Sequence, residues 1–157
     1  MLTTMIFLRV SQIFFSMLLL ASSVGKFFDM PGFYGVVQSY QVLPASLVPI
    51  GAWLLAVAEL SICIMLATRK LSPQSLNARS ASGHILQLLI ALHVFFLLGV
   101  TSAYLRGLAL PNCGCFGVYW PRPLTHWSIV EDLVLTIWAV MFYAGFMGRT
   151  SQIKDGN

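Results

Sequence analysis

Two of the three cysteines in this 157-residue chain stand one glycine apart, as Cys113-Gly114-Cys115 within "NCGCFG", residues 112 to 117. Thiols at this spacing could exchange disulfides, supply half of a soft metal site, or fall together without consequence. A disulfide wants Cα atoms about 4.4 to 6.8 Å apart and a torsion near 90°. Residues two apart in an extended chain lie at or beyond the upper end of that range, so ring closure needs a bend, and Gly114 permits one. Strain in so small a ring raises the reduction potential and favours a labile, exchanging bond over a permanent staple. Crosslinking such close neighbours also removes little chain entropy. Nearby cations such as Lys26, Arg106 or Arg122 would lower a thiol pKa and raise its thiolate fraction. A tetrahedral metal site wants four ligands, and only His126 and main-chain groups stand near enough in sequence to add to the two sulfurs. A disulfide-forming, redox-active pair is the favoured reading, with no metal assigned.

What positions this pair is a membrane bundle. Hydrophobic residues make up 58% of the chain and charged residues 9%, with a mean hydropathy of +0.83. That leaves too little polar surface to cover a soluble globule. At about 20 apolar residues per span, the chain holds four spans in a single domain, residues 1–157. The windows are about 5–24, 48–67, 85–105 and 127–147. No strand-like alternation competes with them, so the expected fold is an all-α four-helix membrane bundle. "LLLASSVG" also offers small residues of the kind a signal peptidase cleaves, an alternative reading of the first span. In the connection "KFFDMPGFYGVVQSYQVLP", Asp29 and Pro31 make a helix start, and Phe33, Val36, Val37 and Tyr40 recur at helical spacing. A short amphipathic helix at the interface is expected there. "TRKLSPQSLNARSASGH", residues 68–84, reads as a plain polar loop broken by Pro73.

The net charge of +4 carries no basic stripe with interleaved aromatics, so nucleic acid is not a partner. It is a topology signal instead. Arg9, Arg69, Lys70, Arg79, Arg149 and Lys154 fall on one side, and Lys26, Arg106 and Arg122 on the other, six of nine against three. The positive-inside rule then puts both termini in the cytoplasm of a bacterial cell. The loop from Gly107 to Thr125 faces the periplasm, where disulfides form and persist.

Two polar groups interrupt the spans. By helical rise, Glu59 and His93 lie about 12 and 13 Å from the cytoplasmic ends of their helices. At equal depth they could form a hydrogen-bonded pair or part of a quinone or proton site, or serve as interhelical glue, Glu59 protonated and His93 a donor. Cys63, about 20 Å from the outer surface by the same rise, is a packing residue rather than a resolving thiol. At the outer surface, Lys26 and Arg106 are expected to pair with Glu131 or Asp132. Those carboxylates suit the first turn of the last helix, and the ion pairs would fix the cysteine loop.

The chain resembles the MauE/DoxX group of four-helix bacterial inner-membrane proteins, and the MauE branch in particular. The resemblance rests on "CGCFG", Cys113 to Gly117 with Gly114 and Phe116 between, and on "GKFFDMPGF", Gly25 to Phe33. It extends to "YQVLP", Tyr40 to Pro44, and to Glu59, covering nearly the whole chain. At the start of the last helix, where the family often carries a basic residue, this chain has Glu131 and Asp132. The resemblance implies a redox-associated protein that supports maturation of a disulfide-rich periplasmic client such as methylamine dehydrogenase. The residues themselves favour a thiol-disulfide oxidoreductase reading in which Cys113 and Cys115 exchange with a periplasmic client, with a quinone as the candidate cofactor. The alternative is a non-catalytic accessory or assembly subunit of a larger membrane electron-transfer complex, with a structural loop disulfide. Transport has little support, because no span carries the paired Gly/Pro interruptions of a transporter site. No phosphate loop, histidine pair at metal spacing or serine nucleophile elbow is present.

Overall fold

The computed structural model describes the backbone of residues 2–68 and 76–155, and the side chains of residues 3–68 and 81–148. It is helical throughout the four apolar windows. The helices are α1 (Leu2–Phe28), α2 (Met30–Ser39), α3 (Val48–Thr68), α4 (Leu76–Leu105) and α5 (His126–Asp155), with one 3-10 turn at Ala45–Leu47. Among the described residues, α1, α3, α4 and α5 each contain a segment long and apolar enough to cross a membrane. Their lipid-facing sides are as apolar as their core, with Ile13, Met17, Leu54, Leu98 and Ile137 all exposed. In water such surfaces would drive aggregation; in hydrocarbon they are the solvated face.

Two close helix pairs, α1 on α3 and α4 on α5, build the bundle, with lighter contact between α1 and α5. The packing has a sequence cause. On α3, Val48, Ala52, Ala56, Glu59, Cys63 and Leu66 recur every three or four residues and are all buried, so small side chains line one stripe and let a neighbour approach. Below the stripe, Phe15, Leu66, Leu86, Leu89, Phe142 and Phe146 fill the core. Phe14 stacks on Trp138 with centroids 4.4 Å apart, and the Trp138 indole N–H donates to Ser11 Oγ at 3.0 Å.

The amphipathic helix forms where its signals lie. Asp29 is the N-cap of α2, its Oδ1 accepting from the Gly32 amide at 2.9 Å, and Pro31 occupies the first turn. Met30 and Phe33 are buried against Ala52 and Ala56, so α2 roofs α3 at the end of the bundle that carries the cysteine loop.

Two expectations need correction. The plain loop read over residues 68–84 is shorter, because α4 begins at Leu76; Leu76, Ala78, Arg79 and Ala81 are strong helix formers, and the break at Pro73 precedes them. The residues 69–75 lie outside the described ones. So do the side chains of Arg69, Lys70, Arg79, Arg149 and Lys154, which carry most of the topology argument. Glu131 and Asp132 are also not in the first turn of the last helix, since α5 begins at His126 and places them one turn further in.

Candidate functional site

The cysteine loop starts where α4 is stopped. Gly107 takes φ +69°, and the amides of Gly107 and Leu108 close back onto Tyr104 and Ala103 carbonyls at 2.9 and 3.1 Å, the 5→2 and 6→1 pattern of a Schellman cap. The loop's two limbs then pair: Leu124 N–H donates to Leu110 O at 2.9 Å, and Cys113 N–H to Arg122 O at 2.7 Å. Asn112 organises the tip. Its Oδ1 accepts from the Gly114 amide at 2.9 Å, and its Nδ2 donates to Gly117 O at 2.9 Å. Gly114, at φ +76°, supplies the bend that the spacing required. A Cβ there would also stand 2.6 Å from Val36 Cγ1 of α2.

The bend brings the sulfurs together. All three cysteines are thiols, and Cys113 Sγ lies 3.1 Å from Cys115 Sγ. In this geometry one thiol stabilises the other's anion. The Cys115 hydrogen bond to it, opposed by burial and aided by the Arg122 charge, brings Cys113 down to a pKa of about 6. The second proton is then held. The hydrogen bond to Cys113 and burial push Cys115 well above the ordinary thiol range.

Both cysteine carbonyls are held from outside the loop. Tyr40 Oη donates to Cys113 O at 2.7 Å, and burial first, then the nearby sulfurs, raise the phenol so that it remains a donor. Cys115 O accepts from Lys26 Nζ at 3.0 Å and lies 2.6 Å from Ser22 Oγ. Lys26 in turn reaches both oxygens of Glu59 at 2.8 Å and Ser22 Oγ at 2.6 Å. Lys26 and Glu59 are each 0% exposed. The ammonium also sits 5.4 Å from the Phe33 ring centroid and 5.7 Å from that of Phe96. Under the loop the backbones nearly touch: a Cβ on Gly25 would strike the Phe116 carbonyl, and one on Gly117 the Gly25 carbonyl.

The charge pairs expected from sequence are therefore rearranged. Lys26 pairs with Glu59 rather than Glu131 or Asp132, because α1 continues to Phe28 and turns Lys26 inward. Arg106 caps the end of α2 instead, donating to Tyr40 O at 2.5 Å. Glu131 pairs with Arg122 at 2.6 Å, a half-exposed contact of small energetic weight. Asp132 is buried and its Oδ2 has no hydrogen-bond partner among the described residues. Glu59 does not pair with His93, whose Nδ1 lies 2.9 Å from Leu89 O of its own helix. Cys63 packs in the core and donates to Ser16 O at 3.2 Å. Sequence reasoning missed Asn112 and Tyr40 as loop anchors; an asparagine just before a glycine-containing turn is the signal that could have found the first.

Below the loop, α1, α4 and α5 leave a cavity of about 500 Å³. Ser22, Cys115, Phe116, Arg122, Glu131 and Asp132 surround its upper end, and Phe14, His93 and Trp138 reach its deeper part. Among the described residues no group of three or more His, Cys, Asp or Glu side chains is arranged to hold a metal ion.

A protein-family model described as Methylamine utilisation protein MauE matches residues 4–145. The Methylamine utilization protein MauE of Paracoccus denitrificans is 28% identical over 134 residues, which cover 85% of this chain and 67% of that protein. No solved structure matches the chain.

Two expectations come from this geometry. Alkylation of the reduced pair should rise with pH through a midpoint near 6, against about 8.5 for an unperturbed thiol, since the reactive species is the thiolate and Arg122 and Cys115 favour it. Cys115→Ala should move that midpoint up into or above the ordinary range; an unchanged midpoint would deny the hydrogen bond its role. Gly25→Ala, by driving a methyl into the Phe116 carbonyl, should cost about 1–3 kcal/mol and speed alkylation of Cys115, as read by thermal unfolding and mass spectrometry in detergent.

Proposed function

The chain belongs to the MauE family, and from that premise we propose that it is a bacterial inner-membrane thiol-disulfide protein acting in methylamine utilisation. Its Cys113–Cys115 loop faces the periplasm, with both termini in the cytoplasm. The pair, in its disulfide form, oxidises a disulfide-rich periplasmic client such as methylamine dehydrogenase during maturation. A client thiolate attacks the Cys113–Cys115 bond and forms a mixed disulfide; a second client thiol displaces it. The client gains one disulfide and loses two electrons, and the pair leaves as a dithiol.

The observation that carries this reading is the 3.1 Å approach of two sulfurs on a glycine bend, with one of them favoured as a thiolate. Stabilising a thiolate stabilises the reduced form, and a pair whose reduced form is stabilised is an oxidant toward its client. The anchoring of the loop supports exchange over a structural bond. Asn112, Tyr40 and Lys26 already hold it while the cysteines are thiols, so a disulfide is not needed to shape it.

Single substitutions test the mechanism. In cells expressing the client, Cys113→Ser or Cys115→Ser should trap a client-linked mixed disulfide on non-reducing gels and leave the client incompletely oxidised. If neither variant traps an adduct and the client matures normally, the exchange mechanism is wrong.

A further inference from the structure

An oxidant that has passed its disulfide to a client must be reoxidised, and the cavity beneath the loop lies where that could occur. It opens between the membrane-spanning helices α1, α4 and α5, where α1 and α5 make lighter contact than the two close helix pairs, and Cys115 forms part of its wall while Cys113 does not. Its volume, about 500 Å³, falls among those of small-molecule sites. Its walls divide by depth: polar side chains gather near the loop, and the lower part is lined by aromatic and aliphatic ones. That division suits a flat ring bearing oxygens at one end of an apolar tail.

One polar atom in this cavity lacks the partner that burial demands. Asp132, 9% exposed, has a buried Oδ2 without a hydrogen bond among the described residues, an arrangement that costs free energy unless a ligand or water completes it. His93 also lines the cavity. Its Nδ1 faces the Leu89 carbonyl; a carbonyl only accepts, so in the neutral ring Nδ1 carries the hydrogen and Nε2 is an acceptor. A carboxyl near the thiols can donate to a carbonyl oxygen or accept from a hydroxyl, and the imidazole acceptor deeper down can take a hydrogen bond from the hydroxyl of the reduced form.

We propose that this cavity binds a membrane-soluble quinone, which reoxidises the Cys113–Cys115 dithiol. The inference rests on the exchange reading given above. The two thiols lose two protons and two electrons and form one S–S bond; the quinone takes both protons and both electrons and leaves as a quinol. Asp132 hydrogen-bonds the ring oxygen nearer the loop, and Cys115 is the sulfur that meets the ring.

The test uses the full-length protein in lipid nanodiscs, with decylubiquinone as probe. In a Cys113→Ser/Cys115→Ser double variant, which cannot turn over, decylubiquinone should quench the fluorescence of Trp127 and Trp138 saturably. The reduced wild-type protein, kept anaerobic, should convert one equivalent of decylubiquinone to quinol as its disulfide forms. The water-soluble azo oxidant diamide serves as a reference that does not need the cavity. In Leu135→Trp, and in Leu18→Trp should the first fail to fold, the ratio of decylubiquinone rate to diamide rate should fall at least tenfold. Absence of quenching, quenching relieved equally by a saturated fatty acid, or an unchanged rate ratio would overturn the quinone site. If diamide itself forms no Cys113–Cys115 disulfide in the wild type, the exchange reading fails instead, and the two failures are told apart.

Discussion

A lysine and a glutamate, 33 residues apart in sequence and both wholly withdrawn from solvent, hold the site-bearing end of this bundle together. Burying two charges is expensive, and the cost is offset only when the geometry is close and the remaining hydrogen-bonding capacity is used. Here it is used. The three ammonium hydrogens of Lys26 face Glu59, Ser22 Oγ and the Cys115 carbonyl, and Ser22 Oγ stands 2.8 Å from the second carboxylate oxygen. The ammonium also contacts rings from α2 and α4. One cation thus touches α1, α2, α3, α4 and the loop, and its neutralisation by Glu59 is what permits it to remain inside an apolar bundle.

The loop inherits its shape from this anchor. Its backbone can descend to the level of Lys26 because Gly25 and Gly117 present no side chains where the two chains meet, and Asn112 supplies from within the loop the hydrogen bonds that regular structure would otherwise provide. The result is a dithiol with fixed carbonyls and paired sulfurs. A loop held in this way keeps its shape without a bond between Cys113 and Cys115.

The sequence made some of this legible and hid the rest for physical reasons. The four spans follow from hydropathy, the cap of α2 from Asp29 and Pro31, and the bend between the cysteines from Gly114, because each depends on local chemistry. The ion pair was hidden because it depends on depth. With the first span ended at Val24, Lys26 falls at the surface beside Glu131 and Asp132; continuing the helix to Phe28, beneath the roof made by α2, turns it toward Glu59. Equal depth along two helices likewise suggested Glu59 with His93, yet depth fixes only one coordinate, and His93 is satisfied by its own helix. Arg106 donates to Tyr40 O rather than to a carboxylate, since the end of α2 offers carbonyls that no composition argument reveals.

The most direct test of the anchor compares stability with loop protection in Lys26→Met, Glu59→Gln and the double variant Lys26→Met/Glu59→Leu, by thermal unfolding and by the rate of Cys115 alkylation in the folded protein. Each single change leaves a buried charge or its partner unsatisfied and should cost about 3–5 kcal/mol. The double variant should recover most of that stability while Cys115 remains rapidly alkylated, because the bond from Lys26 to its carbonyl is still missing. Native alkylation rates in Lys26→Met would contradict the account, since the loop would then be held in place without the cation.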